Sequence, residues 1–156
     1  MSVKETVRRQ IAKQIDNAAS SAANTTSMPS EGWIAAMRKA LGMTGAQLGR
    51  RMGLSRKRIS QVEKAEIDGG VTLRSMQDLA RAMDAKFVYA ILPKEGDVQS
   101  IIERQARKKA KALVSRVSTH MALEKQALDE KQNQAEIKRL ADELLRDPPS
   151  DFWEEE

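Results

Sequence analysis

The chain has 156 residues, enough for one modest core plus appendages, with a formal net charge of +5 and only five aromatic residues. The absence of cysteine excludes disulfides and thiolate metal sites, and no apolar run approaches the ~18 residues of a membrane span. A core built from Leu, Ile, Val, Met and Ala favours helices, and the basic balance (sequence pI 9.6) points to a polyanionic partner, without by itself choosing between nucleic acid and an anionic membrane. The charge is unevenly spread: formally +2 over residues 1–27, +5 over 28–93, +4 over 94–118 and −6 over 119–156. With no signal-peptide pattern at the N-terminus, a cytoplasmic location is expected.

Residues 3 to 19 set Val3, Val7, Ile11 and Ile15 four apart, with Ala12, Ala18 and Ala19 widening the stripe, which predicts an amphipathic helix. It is either an arm packed on the main domain or an arm for a partner or a second copy. Residues 17–32, small and polar with Pro29 and Gly32, read as a linker. The domain proper is expected at 32–93, after an N-terminal segment 1–31 and before a C-terminal extension 94–156.

Trp33, Ile34, Met37 and Leu41 recur at helical spacing, and Gly42 stops that helix. The next 21 residues, TGAQLGRRMGLSRKRISQVEK, hold two short apolar patterns, Leu48 and Met52 in one and Ile59 and Val62 in the other, around a joint at Gly53-Leu54. Thr44 and Ser55 stand where N-caps are wanted, Gly49 where two helices approach closely, and Gly53 where a short turn needs positive φ. That is the pattern of a helix-turn-helix. From Thr44 through Val62 there is no acid, whereas Arg50, Arg51, Arg56, Lys57 and Arg58 bring five positive charges, an asymmetry that packing does not require.

Such a motif sets the first turn of its second helix in the major groove of double-stranded DNA. Arg56, Lys57 and Gln61 are the expected base readers, with Ser60 adding a less selective contact. Thr44, Gly45 and Ser55 at helix starts, with Arg50, Arg51 and Arg58, are the expected phosphate contacts. Glu63 is expected to pair within the domain, with an arginine of the motif's first helix as the candidate.

Thr72 caps a further helix with Leu73, Met76, Leu79, Ala80 and Met83. Lys86 to Pro93 is the one convincing strand, carrying Phe87, Val88, Tyr89, Ala90, Ile91 and Leu92. No second strand of comparable strength exists, so pairing with the same segment of a second copy is expected, giving a homodimer on a palindromic operator. The alternative is a strand lying on its own helices or pairing with an irregular segment.

From Asp97 to about Met121 a helix is predicted with Ile102, Ala106, Ala110, Leu113, Val117 and Met121 on one side and Arg104, Arg107, Lys108 and Lys111 in a ridge on the other. The ridge is a solvated face, an auxiliary DNA contact or a contact for an acidic protein. From Leu123 to Leu145 a weaker pattern (Leu128, Ile137, Leu140, Ala141, Leu144) fits one kinked helix or two short ones. After Pro148-Pro149, Phe152 and Trp153 either dock on the chain itself or anchor a partner protein. Catalysis is not expected: there is no cysteine, a single His120 and no glycine-rich phosphate loop, so no catalytic residue, metal or cofactor is implied.

The residues from Gly32 to about Ala85 resemble the Xre/Cro-type helix-turn-helix family, with Gly49 standing where that family usually has Ala. The resemblance implies a mainly α, lambda-repressor-like domain, here with one dimerising strand and additional flanking helices. More narrowly, GWIAAMRKALGMTGAQLGRRMGLS, VEKAEIDGGVTLRSMQDLARAMDAKFVYAILP and HMALEKQAL resemble the mobile mystery protein A family. Members typically accompany a Fic-domain protein, which implies an antitoxin that represses its own operon. Ser27, Glu31 and Gly32 match the form of the helical Fic-inhibitory motif, but Pro29 lies between them. The segments implied to restrain a toxin are the N-terminal helix or the residues after Met121.

Overall fold

The computed structural model describes residues 2–23, 27–123 and 129–155, with 121–123 described in backbone only. Their secondary structure is helical: α1 (Val3–Ala22), α2 (Trp33–Ala40), α3 (Gly45–Met52), α4 (Arg56–Ile67), α5 (Leu73–Ala82), α6 (Val98–Leu123) and α7 (Glu130–Arg146). They divide into two compact units, one of residues 24–90 and one of residues 1–23 with 91–156.

In the 24–90 unit three of the four helices begin where a hydroxyl can accept from the first turn. Thr44, Ser55 and Thr72 accept from the N–H groups of Gln47, Arg58 and Ser75, at 3.1 Å in each case. Each such cap contributes about 1 kcal/mol. The start of α2 has no side-chain cap of its own; instead the Glu66 carboxylate, 32 residues away in α4, accepts from Trp33 N at 2.8 Å and Ile34 N at 3.0 Å. The core beneath is Ile34, Leu48, Ile59, Leu79 and Met83, with Met43, Met52, Val62 and Met76 packed around it. Leu48, Ile59 and Leu79 are fully buried, each contributing roughly 1.5–3 kcal/mol by removal from water. The apolar face of α2 is only partly used: Ile34 is buried, whereas Trp33, Met37 and Leu41 are 46%, 37% and 49% exposed.

The strand expected over Lys86–Pro93 does not form. No strand occurs among the described residues, and Phe87, Val88, Tyr89, Ala90, Ile91 and Leu92 run as irregular chain. A strand requires a ladder, and no second segment among the described residues makes one with it. Only the start of the run lies along its own helices, Phe87 half-buried and sharing a groove with residues of α2 and α5, while Val88, Tyr89 and Ile91 are 74%, 60% and 92% exposed.

In the other unit α6 packs along α7 through small residues, Ala106 and Ala110 against Ala141, with Leu144 and Phe152 completing the core. Val114 and Lys109 are buried as well, while Val117, expected to be buried, is exposed, because residues four apart drift around a long helix. The polar stretch from Asp129 is no kink: Asp129 caps α7 in a capping box with Gln132. The apolar positions Met121, Leu123 and Leu128 lie outside the residues whose side chains are described, as do linker residues 24–26.

The C-terminal tail docks on its own chain. Phe152 is buried, Gln105 Nε2 donates to its carbonyl at 2.7 Å, and the buried Lys109 ammonium donates to the Asp151 carbonyl at 2.5 Å and pairs with the Asp151 carboxylate at 3.1 Å. The helix α1 runs on through residues expected to be linker, because Asn17–Ala22 is mostly Ala and Ser at no great helical cost. It packs on α6, with Asp16 Oδ1 accepting from Val98 N at 3.0 Å, yet buries no residue fully.

Candidate nucleic-acid interface

The joint between α3 and α4 is three residues, Gly53-Leu54-Ser55. Gly53 ends α3 at φ +68°, a left-handed conformation that costs glycine little. Leu54 N then donates to Gly49 O at 2.7 Å, drawing the turn back onto α3. A Cβ on Gly49 would lie 2.5 Å from the Leu54 carbonyl oxygen, so the glycine there is a requirement of the turn rather than a weakened alanine.

The turn directs the first turn of α4 outward. Arg56, Lys57, Arg58, Ser60 and Gln61 are all exposed, while Ile59 is buried and Val62 half-buried on the inner face. The Arg58 guanidinium reaches Gln61 Oε1 at 3.5 Å. Beside this face lies a concavity of about 680 Å³ whose wall includes Thr44, Gly45 and Ala46 at the start of α3, Arg56, Ser60 and Glu63 of α4, and Arg38 and Lys39 at the end of α2. Thr44 is held by a capping box, its own N–H donating to Gln47 Oε1 at 2.7 Å. The following N–H groups of α3 have no intrahelical acceptor and carry the positive end of the helix dipole. An anion seated here would meet backbone donors and the Arg56 side chain, with Arg38 and Lys39 nearby.

Arg50 and Arg51 face a different concavity, of about 530 Å³, with Gln47, Leu41 and Met43. Of the expected phosphate contacts, Thr44 and Gly45 therefore line one concavity, beside the expected base reader Arg56, and Arg50 and Arg51 line another, while Arg58 lines neither. Ser55 spends its hydroxyl on the cap of α4.

Glu63 pairs within the domain, but with Arg38 of α2 rather than an arginine of α3. The bond is bidentate, at 2.6 and 3.2 Å, with both side chains 15% exposed, and Arg38 also donates to the Met43 carbonyl at 3.0 Å. Donating to the Glu63 carboxylate raises the Arg38 pKa above its ordinary value, outweighing burial. This removes the negative charge of Glu63 from the anion-facing wall and ties the α2–α3 turn to α4. Arg38 and Lys39 are the wall residues that sequence reasoning passed over; two adjacent cations in the last turn before Gly42 were the available signal. Lys39 itself pairs with Glu31.

The ridge on α6 is exposed at Arg104, Arg107, Lys108 and Lys111, but two members are engaged: Lys108 Nζ pairs with Glu155 at 2.9 Å, and Arg104 donates to the Glu95 carbonyl at 3.4 Å. The stretch of Ser27, Glu31 and Gly32 is not helical, so it lacks the geometry of the inhibitory motif it matches in form. His120 is exposed on α6, and no cluster of three metal-binding side chains occurs among the described residues. No helix among them is long and apolar enough to cross a membrane.

Comparison with curated proteins and with solved structures returns no match. Residues 34–89, spanning α2 to α5 and the start of the exposed run after them, match the family model described as helix-turn-helix, and this part of the chain is a helix-turn-helix domain.

Proposed function

We propose that the protein is a non-catalytic, sequence-specific DNA-binding transcription regulator that acts as a homodimer on a palindromic operator. The observation that carries this reading is the exposed, acid-free first turn of α4 beside the capped start of α3, with the nearby Glu63 carboxylate neutralised by Arg38. Arg56, Lys57 and Gln61 read base edges, Arg and Lys favouring the O6 and N7 of guanine, with Ser60 as a weaker contact. Thr44, Gly45, Arg50, Arg51 and Arg58 hold phosphates.

A band-shift on the DNA upstream of the encoding gene tests the reading. Arg56→Ala with Gln61→Ala should lose roughly 1–3 kcal/mol of discrimination for each good base contact, whereas Arg50→Ala should weaken all sequences alike. Unchanged affinity and selectivity in the double variant would overturn the reader assignment.

A second role is supported by the resemblance to the mobile mystery protein A family and by α1, whose Val3, Val7 and Ile11 are 82%, 46% and 51% exposed along one side. In this reading the protein also neutralises a Fic-domain partner and represses the operon encoding both. Co-purification with the product of the neighbouring gene, using the full chain with Val7→Asp and Ile11→Asp, should lose the partner while keeping the DNA. Retention of the partner would remove α1 from this role.

A further inference from the structure

In the unit formed by residues 1–23 and 91–156, charge is sorted rather than mixed. On α7 the two signs interleave, and Arg139 bonds two acids of its own helix, Glu136 at 2.6 Å and Glu143 at 3.1 Å. On α6 there is one acid, Glu103, followed by six cations from Arg104 to Arg116 with no acid among them. Lys109 is buried, whereas Arg104, Arg107, Lys108 and Lys111 are exposed at spacings of three and four, away from the Ala106 and Ala110 face that packs on α7. Mixed charge is enough to solvate a helix. A row of four like charges repels itself and leaves a net field for an anion.

The anion now beside the ridge is the chain's own. The tail is fixed by buried Phe152 and by the Asp151 carboxylate, 3.1 Å from the buried Lys109 ammonium. The acids beyond reach the ridge: Glu154 and Glu155 line a cleft of about 140 Å³ with Gln105 and Lys108, and Glu155 Oε1 lies 2.9 Å from Lys108 Nζ. These two fastenings differ in kind. The Lys109 side chain is 6% exposed, but those of Lys108 and Glu155 are 65% and 84% exposed, and an ion pair so open to water is weak and readily exchanged for another anion. Arg107 and Lys111 have no hydrogen-bond or ion-pair partner among the described residues. The tail carboxylates thus stand at one edge of the ridge where a phosphate would, and leave the rest open.

We infer that Arg104, Arg107, Lys108 and Lys111 form a second DNA-contacting surface, which takes backbone phosphates of duplex outside the operator without regard to sequence, and that Glu154 and Glu155 compete for it. The inference rests on the DNA-binding reading above and adds a surface outside the helix-turn-helix. Duplex phosphate is the polyanion favoured because α6 follows the helix-turn-helix domain within a few residues of chain, and DNA held by that domain is presented to α6 at high effective concentration.

The test titrates full-length protein with a labelled duplex of scrambled sequence and, separately, with the duplex upstream of the encoding gene. On the scrambled duplex, Arg107→Ala with Lys111→Ala should raise Kd about tenfold and flatten the slope of log affinity against log salt by about 2 for each copy bound. Glu154→Gln with Glu155→Gln should lower Kd about threefold or more, a gain that misfolding does not produce. Changes of equal charge on α7, Lys131→Ala with Lys138→Ala and Asp142→Asn with Glu143→Gln, should move Kd by less than about twofold. Parental affinity and slope in the Arg107 and Lys111 variant, or equal effects from the α7 variants, overturn the surface. Parental affinity in the Glu154 and Glu155 variant overturns the competition by the tail. A parent that binds the upstream and scrambled duplexes equally sinks the sequence-specific reading but not the ridge, whose effect is read on the scrambled duplex alone. A parent that binds neither duplex sinks both.

Discussion

Gly49 and Gly53 sit four residues apart and serve the turn for different reasons, so the same substitution should cost differently. A methyl group on Gly53 meets nothing within 4 Å, and Gly53→Ala should cost about 1 kcal/mol from the left-handed φ alone. On Gly49 the methyl would collide with the fixed carbonyl of Leu54, and Gly49→Ala should cost ~1–3 kcal/mol, as overpacking does, despite the gain in helix propensity. Urea melts of the two variants check the order; an equal or smaller loss for Gly49→Ala would show that the turn can yield. The sequence assigned Gly49 to a close approach and Gly53 to a positive φ, but not the atom that a side chain on Gly49 would meet. That depends on where the Leu54 oxygen lies.

Among the elements, the C-terminal tail offers the clearest test of how charge and burial combine. Phe152 fills the core between α6 and α7, so Phe152→Ala should destabilise this unit by ~3–5 kcal/mol, read as lower thermal stability and faster amide exchange in α7. The bond from Lys109 holds the Asp151 carboxyl below its ordinary 3.8, and Lys108 likewise lowers Glu155. A depressed folded pKa means the contribution is complete above the unfolded value and lost as pH falls through the folded one. The docked tail should therefore be unaffected from neutrality down to about pH 5 and loosen only on stronger acidification. Fluorescence of Trp153, which meets Phe152 edge-on at 5.1 Å, reports this in a Trp33→Phe background. A transition centred near neutrality would mean that other groups control the tail. The tail's aromatics were visible in the sequence, but their destination was not, because the Ala106, Ala110 and Ala141 positions that make room for Phe152 come from helices far apart in the chain.

For the whole molecule, dimerisation and DNA binding should be linked through salt. Three arginines per copy, Arg50, Arg51 and Arg58, are proposed on phosphates, so a bound dimer neutralising about six should show a slope of log affinity against log salt near −5, and a monomer near −3. Titrations of the parent on the full operator and on a half-site measure both slopes. Equal slopes would mean that the two copies do not bind together.

The sequence by itself determined the helices of the domain, their caps at Thr44, Ser55 and Thr72, the turn at Gly53 and the cationic face of α4. These are set within a few residues, by apolar period, hydroxyl reach and backbone sterics. Tertiary structure decided what depends on residues meeting from a distance: Glu66 capping α2, Arg38 taking the charge of Glu63, and Lys109 holding the tail. It also decided the state of Lys86–Pro93, whose composition favours a strand. A strand is a property of two segments, and among the described residues no second segment pairs with this one.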